Sequence, residues 1–147
     1  MGAAMIGADI LQPVVILLAW TMVMWVWMYA TRLPAMNRAA IDPAALNKGQ
    51  TGRVLDEALP PSVQWKAHNY NHLHEAPTLF YAVALLLAIV GQGDGLNAWL
   101  GWAYVALRVA HSLVQAMINN VPARFALFAL SSLVLIALIV HAALAVF

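Results

Sequence analysis

The chain has 147 residues, 64% of them hydrophobic and 9% charged, with a mean hydropathy of +0.80 and a formal net charge of +1. A water-soluble domain carries about 25% charged residues, so this composition belongs to the membrane class. The near-neutral charge gives no basis for binding nucleic acid, and the absence of cysteine excludes disulfides, thiolate metal sites and a protein thiol nucleophile.

The apolar run Ile10–Thr31 carries no charge, is longer than the core of a secretory signal and follows no positive segment. It predicts a retained transmembrane helix over about Asp9–Leu33, stopped by Pro34. A second span is expected over about Ser62–Val90, entered after Pro60-Pro61 and ended by the turn Gly91–Gly95. A third covers about Leu96–Asn119 and a fourth about Pro122–Val146, with Pro122 at a favoured first-turn position. Each is near or above the roughly 20 residues that cross hydrocarbon, and nothing alternates as barrel strands would. The expected architecture is all-α, one four-helix transmembrane domain over residues 1–147.

Charge sets the expected orientation. The 34–61 loop with its margins holds Arg32, Arg38, Lys48, Arg53 and Lys66, five of the seven basic residues. Arg124 follows the 119–122 turn, while the N-terminus, the 91–95 turn and the C-terminus have no lysine or arginine. The positive-inside rule places the 34–61 loop in the cytoplasm and both termini on the other side. Absence of cysteine and of a targeting segment fits a bacterial inner membrane.

The polar residues concentrate in HNYNHLHEAP, His68–Pro77, inside the second span. Ionisable groups in a bilayer cost roughly 2.5–3.5 kcal/mol each on insertion scales, and they are usually paired and functional. His68, Asn71 and Glu75 share one helix face at i, i+3, i+7; Arg108, His111 and Gln115 repeat that spacing on the third span. Antiparallel packing across a short turn matches them in depth as three rungs: Glu75 with Arg108, Asn71 with His111, and His68 with Gln115. Polar contacts of this kind also glue membrane helices together, so the Glu75–Arg108 pair reads equally as scaffold or as site. Of His72 and His74, at least one is expected to face a neighbouring subunit, a lipid headgroup or water. Pro77 should kink the helix beside the polar face. His141, alone near the end of the fourth span, reads as an interface residue. No metal is expected: His68 and His72 have ligand spacing, but HExxH is absent and five histidines are too few for several histidine boxes.

The stretches WKAHNYNHLHEAPTLFY (65–81), RVAHSLVQ (108–115) and NNVPARF (119–125) resemble the MAPEG superfamily, the membrane-associated proteins in eicosanoid and glutathione metabolism. The resemblance implies a homotrimer in the membrane lipid, with glutathione held between subunits near the cytoplasmic face. It implies a glutathione-dependent transferase or peroxidase acting on a lipophilic small molecule, with the glutathione thiolate as nucleophile. Arg124 matches the arginine near the glutathione sulfur and is the expected catalytic residue. Arg32, Asn71, Glu75, Arg108 and His111 match cofactor-holding positions; Lys66 and His68 stand where the family has arginines, and Gln115 where it has a tyrosine. Three residues separate Asn71 from Glu75 where the family has two. Glutathione carries two carboxylates and one ammonium, which Arg32, Lys66, Arg108 and Arg124 on one side and Glu75 on the other could complement. The alternative is a non-catalytic subunit of this fold that binds lipid or a partner membrane complex.

Overall fold

The computed structural model describes residues 7–42, 44 and 53–147; Lys48, in the centre of the long loop, lies outside the described residues. Among the described residues six helices follow one another: α1 (Leu11–Arg38), α2 (Arg53–Ala58), α3 (Pro61–His72), α4 (Ala76–Ile89), α5 (Leu96–Met117) and α6 (Val121–Val146). No strand occurs among the described residues. Among the described residues three segments, Leu11–Arg38, Pro61–Ile89 and Val121–Val146, are long and apolar enough to cross a membrane. At 1.5 Å per residue the 28 residues of α1 extend about 42 Å, beyond the ~30 Å hydrocarbon core. The 22-residue α5 is also long, but a polar stripe dilutes its hydropathy.

The packing is inverted relative to a water-soluble protein. Val15, Leu18, Met22 and Val26 on α1 and Leu133, Ile136 and Val140 on α6 are exposed, while Asn69, Arg108, Ser112 and Gln115 are buried. Apolar outside and polar inside is the arrangement that hydrocarbon favours, since lipid cannot satisfy polar groups. α5 lies at the centre and packs on α1, α3 and α6; α4 packs on α6 and α1. Leu17, Met24, Leu73, Phe80, Leu87, Tyr104 and Leu138 form the apolar core, with the Phe80 and Tyr104 rings stacked at 4.5 Å.

The start of α1 is tied to the α4–α5 turn. Ile10 N donates to Gly93 O (2.9 Å), and the Asp94 carboxylate accepts from Gly7 N (2.7 Å) and Asp9 N (3.2 Å). A Cβ on Gly93 would collide with the Gly7 carbonyl, so glycine is what lets these two backbones meet.

Two expectations about proline are corrected. Pro34 does not stop the first helix, which continues through it to Arg38. Proline fixes its own φ at a helical value, so it removes one hydrogen bond without forbidding the following turn. The helix ends where Ala40 turns left-handed (φ 51°) and Ile41 N reaches back to Met36 O (3.1 Å), a Schellman-type ending. Pro77 does not kink a continuous helix either. The chain leaves helical geometry over Leu73–Glu75, and Pro77 sits in the first turn of α4, where its missing N–H has no partner to lose. Thr78 closes this new N-terminus by donating from N (3.0 Å) and Oγ1 (2.7 Å) to Glu75 O.

Candidate functional site

The interruption at 73–75 organises the polar residues around it. A carbonyl released from the helical ladder inside a membrane needs a donor. Arg108 Nη2, from α5, donates to His72 O at 3.2 Å. Arg108 is almost wholly buried, and its Nε and Nη1 have no partner among the described residues.

The three expected rungs are replaced by others. Glu75 and Arg108 form no ion pair; Glu75, turned outward by the break, accepts at Oε2 from His72 Nδ1 (2.9 Å). Opposite His111 stands the His72 ring, 6.2 Å away and edge-on, rather than Asn71. His68 does not meet Gln115: its Nε2 lies 3.3 Å from Asp56 Oδ1 of α2, at the surface. Gln115 is buried, with Oε1 unpartnered.

The buried rung is built instead by Asn69, a residue the sequence reading passed over. Asn69 Nδ2 and Trp20 Nε1 both donate to Ser112 Oγ, which joins α1, α3 and α5. A signal for it exists: the buried stripe Leu87, Ala84, Phe80, Pro77, Leu73 continues backward by one helical step to Asn69. Replacing Ser112 by alanine strands the buried Asn69 amide, at about 1–3 kcal/mol, while the half-buried Trp20 N–H loses its partner at little further cost. The expected result is a clearly lower thermal midpoint in detergent for Ser112→Ala, with Ser112→Thr close to wild type; equal midpoints for Ser112→Ala and wild type would disprove the bridge.

Six of the nine site residues named from sequence fall into two clefts with no lining residue in common; Lys66, Arg108 and Gln115 line neither. One, about 700 Å³, lies between α1, α2 and α3 and is lined by Arg32, Arg53, Asp56, His68 and Asn71. Arg32 Nη2 approaches Gln64 Oε1 (3.4 Å), and its buried Nε has no partner among the described residues. Lys66 donates to Ser62 O (2.7 Å) and lies over the Trp27 ring at 5.6 Å, outside both clefts.

The second cleft, about 310 Å³, is lined by His72, Glu75, His111, Arg124, Phe125 and Phe128 with Val121. Its arginine is held by the turn before α6. Asn119, left-handed at φ 54°, accepts from Arg124 Nη1 at 2.6 Å, and Asn120 caps the helix by accepting from Ala123 N (3.0 Å). Arg124 Nε is buried and has no partner among the described residues. One guanidinium, one carboxylate and two imidazoles thus border an apolar wall of two phenylalanines. Such a set suits an anionic or ionisable group next to an apolar one. His72 belongs to this set although helical spacing alone does not put it there.

Among the described residues no group of three or more histidines and acids could hold a metal ion. At the far end of the molecule His141 Nδ1 contacts Asn97 Oδ1 at 2.6 Å, linking α6 to α5.

No curated protein and no solved structure matches the chain. Residues 10–144 match the model of the MAPEG family.

Proposed function

Because the chain belongs to the MAPEG family and is an integral membrane protein, we propose that it binds glutathione and uses the thiol against a lipophilic electrophile or peroxide. The observation that carries this reading is the cleft at the start of α6, where Arg124, His72, His111 and Glu75 meet the apolar face of Phe125 and Phe128. The donor set fits the cofactor. Glutathione supplies a thiol, two carboxylates and an ammonium; Arg124 Nε is a buried donor without a partner, and Glu75 offers the opposite charge. Bound glutathione supplies the sulfur nucleophile that a cysteine-free chain lacks.

Arg124 favours an anionic sulfur by charge and hydrogen bonding. Phe125 and Phe128 give an apolar substrate a surface and keep water from the reacting side. Arg32, His68 and Asn71 line a different cleft, so one chain does not gather all the cations that two carboxylates need. A second copy that apposes its Arg32 cleft to the Arg124 cleft completes the set, and a homotrimer of four-span subunits is the assembly proposed. Arg32, Arg38, Arg53 and Lys66 then face the cytoplasm, and a bacterial inner membrane is the proposed location. Arg108, fixed to the His72 carbonyl, holds the broken span in shape and acts on the cofactor through His72.

The test is binding itself. Purified protein in detergent, heated with and without glutathione, should be stabilised by about 2.7 kcal/mol at 100 times the Kd. Chlorodinitrobenzene should be conjugated by the same preparation. Neither a shift nor turnover selects the other reading, a non-catalytic subunit of this fold bound to lipid or a partner membrane complex.

A further inference from the structure

We infer that His72, oriented by Glu75, is the proton acceptor of the α6 cleft. This rests on the glutathione reading above and adds a base to it. The geometry is that of an imidazole backed by a carboxylate. His72 Nδ1 lies 2.9 Å from Glu75 Oε2, and a carboxylate can only accept, so Nδ1 carries the hydrogen. That assignment leaves Nε2 with a free lone pair, and His72 lines the cleft together with Arg124.

The dyad spans the break in the helix. In a continuous helix residues three apart are neighbours on one face, but Glu75 here caps α4 in a non-helical conformation (φ −94°, ψ −105°) and returns its carboxylate to His72. Arg108 anchors the same residue from behind through the His72 carbonyl. The backbone and the ring of His72 are therefore held by separate partners, one from α5 and one across the break.

The groups that face His72 are few. Glu75 lies on its own side of the break, His111 stands edge-on from α5 at 6.2 Å, Arg108 comes from α5 and Arg124 from α6. α1 packs on α3 but contributes no residue to the cleft lining. The step balances simply. His72 Nε2 takes the thiol proton, the S–H bond breaks as N–H forms, and the electron pair stays on sulfur beside the Arg124 guanidinium. Glu75 stabilises the imidazolium, and His72 later returns the proton to water, since its side chain is 39% exposed. Glu75 is a positioning residue in this scheme, because it acts on the sulfur only through the imidazole.

The experiment reads binding and ionisation separately. Glutathione is added to wild type, His72→Gln, Glu75→Gln and Glu75→Ala, each first checked for an unchanged thermal midpoint. Glutathione affinity is read from the ligand-induced thermal shift. Ionisation is read from the ultraviolet absorbance of the anionic sulfur across pH 6–9, roughly the range in which imidazole and thiol groups titrate. His72→Gln should bind glutathione yet lose the absorbance at neutral pH, and its conjugation rate should fall by about 10²-fold. Glu75→Gln, whose amide oxygen can still accept from Nδ1–H, should lose less than Glu75→Ala. Bound glutathione with unchanged absorbance in His72→Gln overturns the dyad and leaves the glutathione reading standing. Failure of glutathione to stabilise wild type overturns both. Should His72→Gln not fold, the Glu75→Gln and Glu75→Ala pair decides alone: equal, wild-type absorbance in both overturns the proposal.

Discussion

Arg124→Ala should lower the rate of glutathione conjugation by about 10²–10³-fold, roughly 3–4 kcal/mol of stabilisation at the developing anion. The structural cost should be small by comparison. Among the described residues the Arg124 side chain makes one hydrogen bond, Nη1 to Asn119 Oδ1, and losing a part-buried bond from a charged donor costs about 1.5 kcal/mol. The fold of α6 stays anchored by the Asn120 cap. Arg124→Lys is the informative control, since it keeps the charge and loses the fork that lets Nη1 hold Asn119 while Nε faces inward. We expect Arg124→Lys to recover part of the rate. Rates for Arg124→Ala within about threefold of wild type would remove Arg124 from the chemistry.

The largest effect on stability is expected from Gly93→Ala. The added methyl meets the Gly7 carbonyl, and close by are the Ile10 side chain and the Gly7 carbonyl carbon. Neither backbone can yield without breaking the Ile10 N–Gly93 O bond and the two bonds to Asp94. Overpacking a filled site costs about 1–3 kcal/mol, and the loss of backbone bonds at the same place puts the value at the upper end, about 3 kcal/mol. Thermal unfolding in detergent measures it. Gly91→Ala serves as a comparison: Gly91 has a left-handed φ of 71°, which Gly93 lacks, and open space around its Cβ, so its cost is conformational strain alone. A Gly93→Ala midpoint no lower than that of Gly91→Ala would refute the tether.

The sequence showed the helices and the buried polar stripe of α5, and it misplaced the face opposite them. Apolar runs such as Val121–Val146 have one interpretation, and Arg108, His111 and Gln115 stand out because everything around them is apolar. HNYNHLHEAP is different, because it carries polar side chains all round the helix and periodicity cannot choose a face from within it. The choice came from outside, where the apolar stripe from Leu87 to Leu73 fixes the rotation that buries Asn69 and leaves Asn71 exposed. Depth matching then failed for Glu75 because it assumed an unbroken rise of 1.5 Å per residue through the interruption at Leu73–Glu75. Pro34 and Pro77 carry the same local prohibition and met opposite fates. At Pro77 a buried guanidinium was available to take the released carbonyl, and no local rule reports a donor that lies 36 positions away in the chain.

That donor ties two distant positions into one unit of inheritance. If position 77 lost its proline, the second span could close into a continuous helix and reclaim the His72 carbonyl for its own ladder. Arg108 would then be a cation in the middle of the protein without its one hydrogen bond among the described residues. If position 108 became apolar first, the His72 carbonyl would keep only the 3.3 Å bond from Glu75 N. Either substitution alone passes through a less fit intermediate, so related chains should carry the proline and the arginine together or lack both.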